Sequence, residues 1–211
     1  MFLFNRSVLY RGDARKIRPY TESLTHVVRE VSGVPVSLWQ GMLGGPMGTM
    51  IYSALVHDRA EFDGQMMAMQ GDSRYLDKVA EGLEFVATPP EDSMVAVMHT
   101  AGGEYQRAGV GAIVLQNRSQ IAGGKAAEAL HWGTEMADLV SSITGAVVMF
   151  GPTTAGPFGE VAWVTTSPDM AAYASRDEMV NKDPRYLDKL GEIGELFLPG
   201  SGMRYLGRRV V

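Results

Sequence analysis

The chain has 211 residues, a formal net charge of −5, a hydrophobic content of 45% and a charged content of 20%. This composition is typical of a folded globular protein, and the acidic excess argues against nucleic acid or an anionic membrane as a partner. The chain contains no cysteine, which excludes disulfides, thiolate nucleophiles and thiolate-bound metals. Residues 1–10 include Arg6 and lack the long apolar run of a signal peptide, so we expect a cytoplasmic location.

The first half of the sequence predicts a strand-helix-strand-strand-helix-strand unit. Aromatic and β-branched residues indicate the strands, and apolar residues spaced three and four apart indicate the helices. Gly33 is the expected end of the first helix, and Asp72 is the expected N-cap of a helix in the second helical region. The predicted bounds are 2–10, 34–43, 47–56 and 93–99 for the strands, and 16–32, 58–70 and 72–83 for the helical segments.

The second half predicts the same order of elements. A strand over 111–121 precedes a helix that carries Trp132 on its apolar face and ends at Gly145, the counterpart of Gly33. The remaining predicted elements are strands at 146–150, 159–167 and 203–211, and helical segments at 168–180 and 183–197.

The two halves also share sequence. Residues 72–78 read Asp-Ser-Arg-Tyr-Leu-Asp-Lys, and residues 183–189, which lie 111 positions later, read Asp-Pro-Arg-Tyr-Leu-Asp-Lys. Between 45 and 78, 11 positions are identical to their counterparts in the second half. Self-similarity at half the chain length indicates an internal duplication.

Each half has the element order of a ferredoxin-like unit, in which two helices cover one face of an antiparallel four-stranded sheet. The other face of each sheet needs a cover, which two copies in one chain supply by packing sheet against sheet. The sequence therefore predicts an α+β protein in which two tandem ferredoxin-like repeats form an intrachain dimeric α/β barrel with pseudo-twofold symmetry. The predicted boundaries are 1–100 for the first repeat, 101–109 for a linker and 110–211 for the second repeat.

With this pattern the chain resembles the dimeric α/β-barrel superfamily, and most of all its NIPSNAP-like and antibiotic-biosynthesis-monooxygenase-like members. The resemblance is carried by residues 72–78, by residues 183–187 and by the Glu-Leu-Phe-Leu-Pro-Gly-Ser-Gly stretch at 195–202. It implies an apolar pocket between sheet and helices or inside the barrel. Members of the superfamily include cofactor-independent monooxygenases, isomerases, cyclases and haem-handling enzymes, so the fold alone does not select a function.

Three functions remain open at this point. The first is the binding, and the cofactor-independent transformation of the monooxygenase or isomerase kind, of a small and largely apolar organic molecule in a barrel pocket. The second is a non-catalytic structural or assembly role with a filled core. The third is haem binding through one histidine. The first two need no cofactor, no metal site is predicted, and pairing of two fused barrels into a homodimer stays open.

The candidate ligand-binding residues lie on the predicted strands. Asn5-Arg6-Ser7 recurs as Asn117-Arg118-Ser119 at a displacement of 112, and polar groups in the middle of covered strands need partners, water or a ligand. A structural hydrogen-bond network or an exposed strand end would explain the same residues. The candidates for positioning polar groups of a ligand, and the aromatic candidates for the pocket wall, are Asn5, Arg6, Asn117, Arg118, Trp39, Tyr52 and Trp163.

The haem hypothesis depends on the histidines. His57 and His99 are predicted at strand ends, and His131 lies next to Trp132 on a helix. None of the three has a counterpart in the other repeat, and no paired spacing typical of a metal site occurs. A structural or solvated histidine is the competing interpretation at each position.

Overall fold

The computed structural model describes residues 1–211 and contains nine β-strands and six α-helices. The strands are β1 Phe2–Leu9, β2 Ser37–Leu43, β3 Thr49–Val56, β4 Glu91–Ala96, β5 His99–Ala101, β6 Ile113–Gln120, β7 Val148–Ala155, β8 Glu160–Ser167 and β9 Met203–Arg209. The helices are α1 Ala14–Ser32, α2 Arg59–Gly71, α3 Ser73–Gly82, α4 Ala126–Thr144, α5 Met170–Lys182 and α6 Pro184–Gly191. None of the helices combines the length and the hydropathy needed to cross a lipid bilayer.

Eight strands form a closed antiparallel barrel in the order β4-β1-β3-β2-β9-β6-β8-β7, with β7 returning to β4. β4 pairs with β1 of its own repeat and with β7 of the other repeat, and β9 pairs with β6 and with β2. The short strand β5 continues from β4 along β7. The last strand of each repeat therefore closes the sheet of the other, which leaves no unpaired edge at the junction. The predicted intrachain dimeric α/β barrel of tandem repeats is confirmed.

The helices cover the outer face of the barrel. Ile17, Tyr20 and Leu24 are the buried face of α1, and in α4 Trp132 and Met136 lie at two of the equivalent positions. The predicted helix ends are confirmed, since Gly33 and Gly145 adopt left-handed φ angles of 71° and 65° that glycine accepts without steric cost.

The short helices begin as the repeated motif predicts. Asp72 accepts a hydrogen bond from the backbone of Arg74, and Asp183 accepts one from the backbone of Arg185. Leu76 of the same motif does not pack inward, because this residue is 49% exposed. The tyrosine before it turns toward the barrel, and Leu76 lies on the outer side of α3.

The strands of the two repeats superpose at a displacement that differs by one residue from the displacement of the recurring Asn-Arg-Ser sequence. β1 pairs with β3 at Arg6↔Tyr52, and β6 pairs with β8 at Asn117↔Trp163, so the strands superpose at a displacement of 111. The second repeat has one extra residue between β6 and α4, so the displacement is 112 between α1 and α4 and returns to 111 between β3 and β8. Arg6 is therefore equivalent to Asn117, and the expectation that it is equivalent to Arg118 is wrong. Because neighbouring residues of a strand point to opposite faces, this one-residue shift exchanges inside and outside.

The interior of the barrel is filled by side chains. Leu3, Val95, Met149, Ala162 and Val164 form its core, and Tyr105 from the segment after β5 packs against them. The remaining interior cavity has a volume of about 30 Å³, comparable to the space of one water molecule. The centre of the barrel therefore has no room for a ligand of organic size, and a larger cavity opens only at one end, where Leu3 and Tyr105 are among its lining residues.

Candidate functional site

Two large apolar cavities lie between the outer face of the barrel and the helices, one in each repeat. The tyrosine pocket, in the first repeat, has a volume of about 250 Å³, and 17 of its 22 lining residues are hydrophobic. It is walled by β1 and β3 on one side and by α1, α2 and α3 on the other. A largely apolar cavity with a few polar groups is the usual form of a small-molecule site.

Arg6 and Tyr52 supply polar groups at the floor of the tyrosine pocket, and Asp92 holds Arg6 from outside the cavity lining. Asp92 on β4 lies opposite Arg6 on β1, which lies opposite Tyr52 on β3. The Arg6 guanidinium donates two parallel hydrogen bonds to the Asp92 carboxylate, at 2.8 and 2.7 Å. This bidentate pair raises the pKa of Arg6, chiefly through the hydrogen bonds to Asp92, so the cation is retained despite partial burial.

Tyrosine hydroxyls surround the same floor. The hydroxyl oxygens of Tyr10 and Tyr52 are 2.9 Å apart, and Tyr75 from α3 lines the same pocket. Burial raises the pKa of Tyr10 and raises that of Tyr52 well above its ordinary value, because ionisation would place a charge in an apolar cavity. Both phenols stay protonated at neutral pH, and because one hydroxyl donates to the other, the pair has one proton left to donate to a ligand.

The walls of the tyrosine pocket are adaptable. Met66 and Met69 of α2 face it together with Phe4 and Phe62, whose ring centroids are 4.9 Å apart. Unbranched thioether side chains adjust easily to ligands of different shape. No carboxylate or imidazole is among the 22 lining residues, so the pocket offers donors and a cation but no general base of its own.

The equivalent cavity of the second repeat, the tryptophan pocket, has a volume of about 300 Å³ but a different chemistry. Trp163 replaces Tyr52 and stacks on Phe150 at 4.8 Å, with Trp132 and Phe197 edge-on at 6.1 and 5.9 Å. The Trp163 indole donates to the carbonyl of Gly133 at 2.9 Å. The aromatic groups of this cavity are therefore satisfied by the protein itself.

The polar row also changes in the second repeat. The positions of Asp92 and Arg6 are taken by Arg204 and Asn117. The Arg204 guanidinium donates to the Asn117 side-chain oxygen at 3.1 Å and lies 3.4 Å from a carboxylate oxygen of Asp177. Asn117 is thus a wall residue of the tryptophan pocket that is held by a neighbouring arginine.

The other predicted residues face the barrel interior. Asn5 and Trp39 line the 30 Å³ interior cavity, where the Trp39 indole donates to Ser53 and the Asn5 side-chain nitrogen is buried without a partner. Arg118 also points inward, toward Glu160 at 3.3 Å and the Ser93 hydroxyl at 3.2 Å. The seven predicted residues are therefore distributed over three places, and only Arg6 and Tyr52 meet in the tyrosine pocket.

The three histidines lie outside both apolar cavities. His99 on β5 is 2.8 Å from the carboxylate of Asp138, and His131 is exposed on α4 beside Glu135. His57 lines a separate polar cavity at one end of the barrel. No group of three or more histidine, aspartate or glutamate side chains is arranged to hold a metal ion. Neither of the two apolar cavities has an imidazole among its lining residues, and only 6 of the 14 residues that line the cavity at His57 are hydrophobic. These residues therefore do not fit a haem site, and we derive no step through haem.

Two residues of the tyrosine pocket were missed by the sequence analysis. Tyr10 was read only as the end of a strand, although its spacing of four from Arg6 places both on one face of β1. The repeated motif at 72–78 predicts the start of a helix but does not show which wall Tyr75 faces. The strand alternation was therefore a usable signal for Tyr10, whereas the place of Tyr75 depends on how α3 docks.

The comparisons with known proteins agree with this architecture. No protein-family model matches the sequence, and no curated protein matches it. The structure of a candidate monooxygenase from Fusobacterium nucleatum superposes with a TM-score of 0.75 at 10% identity, covering 100% of this chain and 92% of that one. An anthrone oxidase-like protein superposes with a TM-score of 0.67 at 11% identity, with the same coverage. A NIPSNAP family protein from Agrobacterium tumefaciens aligns with 49% of this chain at 20% identity and a TM-score of 0.41.

This chain has the dimeric α/β-barrel fold of monooxygenase-like proteins. The resemblance inferred from the duplicated sequence is thereby confirmed at the level of fold. The identities are too low to transfer an activity, so the function has to be argued from the tyrosine pocket itself.

Proposed function

We propose that the protein binds a small, largely apolar phenolic or ketonic molecule in the tyrosine pocket and oxidises it with molecular oxygen, without a bound cofactor. The observation that carries this proposal is the Tyr10–Tyr52 hydroxyl pair beside Arg6 at the floor of a 250 Å³ apolar cavity. A filled core was the expectation for a purely structural role. Cavities of this size between sheet and helices favour ligand binding instead.

The groups at the floor suit a substrate whose oxygen becomes negatively charged during reaction. In the Tyr10–Tyr52 pair one hydroxyl donates to the other, and the remaining hydroxyl proton donates to an oxyanion. The Arg6 cation adds electrostatic stabilisation. Asp92 fixes the orientation of Arg6 through its two hydrogen bonds. Donors held in place in an apolar cavity stabilise an enolate far more strongly than they would in water.

Anthrone is the first substrate to test, because one of the structural neighbours is named an anthrone oxidase-like protein. Anthrone loses a methylene proton to water and becomes an enolate, whose oxygen the tyrosine hydroxyls and Arg6 stabilise. The enolate carbon transfers electrons to molecular oxygen and bonds to it, and protonation gives a hydroperoxide. The hydroperoxide then loses water to leave a ketone. The balance is one methylene group and one oxygen molecule giving one carbonyl group and one water.

The absence of a lining carboxylate or imidazole agrees with this chemistry. The methylene proton of an anthrone is acidic enough for water to remove it when the resulting enolate is stabilised. The pocket therefore contributes by binding, by holding hydrogen-bond donors at the oxyanion and by excluding bulk water, as in electrostatic catalysis of other enolates.

The test is oxygen consumption with anthrone, measured above the rate without protein. We expect Tyr52→Phe to lower this rate by about 10- to 100-fold, since it removes one donor to the oxyanion. The repeat supplies a matched pair of further variants. Tyr75→Phe removes a hydroxyl from the tyrosine pocket, and Tyr186→Phe removes the equivalent hydroxyl from the tryptophan pocket.

Comparison of the Tyr75→Phe and Tyr186→Phe variants shows in which of the two pockets the reaction occurs. A fall in rate for Tyr75→Phe with no change for Tyr186→Phe supports the tyrosine pocket. Equal effects of the two variants contradict it. If anthrone neither accelerates oxygen consumption nor raises the melting temperature of the protein, this substrate and its oxidation are excluded together.

A further inference from the structure

The tryptophan pocket of the second repeat has an aromatic wall and a polar end that lie side by side. Arg204 on β9 pairs with Asn117 on β6, and Asn117 pairs with Trp163 on β8. Directly opposed residues of neighbouring strands have Cβ atoms about 5 Å apart. The arginine and the indole are therefore separated by a single strand, so a ligand with a polar group attached directly to an aromatic ring can contact both.

Three aromatic rings form a corner in this pocket. Trp132, Trp163 and Phe197 meet at interplanar angles of 67° to 89°, with ring centroids 5.6 to 6.1 Å apart. Both indole N–H groups are already used, since Trp132 donates to the carbonyl of Lys189 at 3.2 Å and Trp163 donates to the carbonyl of Gly133 at 2.9 Å. The rings are thereby held in place and offer only carbon faces and edges, which favour another aromatic ring over a saturated one.

The polar end of the pocket is rich in hydrogen-bond donors. The Arg204 Nε–H group donates to the side-chain oxygen of Asn117 at 3.1 Å, which leaves the Asn117 amide N–H groups and the Arg204 Nη2 group free to donate to a ligand. Tyr186 of α6 lines the same pocket, and its hydroxyl makes no hydrogen bond within the chain. No aspartate or glutamate is among the 18 lining residues. These groups match a ligand whose oxygen atoms accept hydrogen bonds.

The charge of Arg204 is less fully compensated than that of Arg6 in the first repeat. Arg6 makes two hydrogen bonds to Asp92 at 2.8 and 2.7 Å, whereas Arg204 has a single contact with a carboxylate, that of Asp177, at 3.4 Å. Asp177 lies outside the tryptophan pocket and also accepts a hydrogen bond from Asn181 at 3.0 Å. Because 3.4 Å is long for a hydrogen bond, Arg204 keeps the capacity to pair with a further anion.

The pocket is large enough for a ligand and reaches the surface of the protein. Its volume of about 300 Å³ lies at the lower end of the usual range for small-molecule sites. Two of its lining residues, Met203 and Ile193, are 59% and 36% exposed. A compound of one or two fused rings can therefore enter without displacement of the helices.

We infer that the tryptophan pocket binds an aromatic carboxylate of one or two rings. The carboxylate accepts hydrogen bonds from Arg204 and Asn117, and the ring lies against Trp163 and Phe197. A planar guanidinium group matches the two oxygens of a carboxylate, and the charge strengthens each hydrogen bond. The second arginine along the pocket, Arg118, takes no part because it is directed toward Glu160. The inference does not rest on the proposed oxidation, since it concerns the other repeat and is tested by binding.

The experiment is isothermal titration calorimetry of the intact protein with sodium 2-naphthoate, for which we expect saturable binding of one molecule per chain. Arg204→Met should weaken this binding by about 10- to 100-fold, because it removes the charged donor. 2-Naphthamide keeps the rings and a carbonyl oxygen but has no charge, and it should bind about 10-fold more weakly. Decahydro-2-naphthoate keeps the charge but has no aromatic ring, and it should bind at least about 3-fold more weakly.

Two sets of control variants locate the site. Arg208 lies on the same outer face of β9 as Arg204 and is exposed, so Arg208→Met changes the net charge equally and should keep the affinity for 2-naphthoate. Tyr186→Phe should weaken binding by about 3- to 10-fold. Tyr75→Phe, which makes the equivalent change in the tyrosine pocket, should leave the affinity for 2-naphthoate unchanged.

Four results would overturn the inference. Absence of saturable binding up to millimolar 2-naphthoate would exclude the site. Equal weakening by Arg204→Met and Arg208→Met would show only general attraction of an anion. Weakening by Tyr75→Phe but not by Tyr186→Phe would place the ligand in the tyrosine pocket. Equal affinity for 2-naphthamide would show that the negative charge is not recognised.

Discussion

The hydroxyl of Tyr10 lies 2.9 Å from the hydroxyl of Tyr52 in the first repeat, and neither hydroxyl has an equivalent in the second. Ile121 and Trp163 occupy the corresponding positions, as their strand pairings show. The duplication has thus kept two helix-covered cavities but has given them different polar groups. This divergence places the candidate chemistry in one repeat and makes the other a natural source of control variants.

The buried phenols should make the protein sensitive to alkali. Burial raises the pKa of Tyr10 and Tyr52, so the folded protein keeps protons that the unfolded chain releases near pH 10. Their contribution to stability is complete below that pH and is lost as the pH rises through the folded-state pKa. Urea midpoints between about pH 8 and pH 11 should fall, and Tyr52→Phe should flatten that fall. Full tyrosinate absorbance before any loss of the native circular dichroism would contradict the burial argument.

Gly133 should not tolerate a methyl group. A Cβ at this position would lie 2.2 Å from the Phe150 ring, so Gly133→Ala should destabilise the protein by about 1–3 kcal/mol despite the higher helix propensity of alanine. In the first repeat the positions equivalent to Gly133 and Phe150 are occupied by Thr21 and Leu38. Gly133→Ala combined with Phe150→Leu should therefore recover stability in urea denaturation.

Gly64 provides the control for this prediction. It lies inside α2, and a Cβ built there meets nothing within 4 Å. Gly64→Ala should stabilise the protein by about 0.5–1 kcal/mol through helix propensity alone. If Gly133→Ala were equally stabilising, the close packing of α4 on Phe150 would be disproved.

The Arg118–Glu160 pair should stabilise the barrel interior only as a pair. Glu160 is 9% exposed and also accepts a hydrogen bond from Thr153 at 3.2 Å. Arg118→Met leaves the Glu160 carboxylate buried without its cation and should cost about 3 kcal/mol. The double variant Arg118→Met with Glu160→Gln should lose clearly less unfolding free energy than Arg118→Met alone. A double-mutant cycle measures this difference. Additive costs would show that the two side chains do not interact.

The helix caps should weaken in acid. Hydrogen bonds from Arg74 and Arg185 lower the pKa of Asp72 and Asp183 below the ordinary value of 3.8. Their stabilising contribution is present above the pKa of the unfolded chain and is lost as the pH falls through the lower, folded-state pKa. Melting temperatures should therefore drop below about pH 4. Asp72→Asn keeps the capping oxygen without its charge and should reduce the drop, whereas an unchanged acid response would exclude Asp72 as a contributor.

The recurring Asn-Arg-Ser sequence shows where sequence comparison misleads. The match at a displacement of 112 is real, but the strands superpose at 111, so Arg6 faces the helices and Arg118 faces the barrel interior. Successive side chains of a strand point to opposite faces of the sheet, so a shift of the alignment by one residue moves each side chain to the other face. No count of identities could reveal this, because the extra residue lies in a loop beyond the motif.

Local sequence patterns are sufficient to predict the architecture of this protein. Duplicated motifs, alternating strands and amphipathic helices specify two ferredoxin-like repeats, since these patterns act locally and each repeat must cover an apolar sheet face. The positions of the cavities, in contrast, follow from the tertiary structure. Closure of the barrel filled its interior and left cavities under the helices. The pairing of strands far apart in sequence put Asp92, Arg6 and Tyr52 in one row, and it put Arg204, Asn117 and Trp163 in the equivalent row of the second repeat. Such groupings depend on long-range register, which local sequence patterns do not encode.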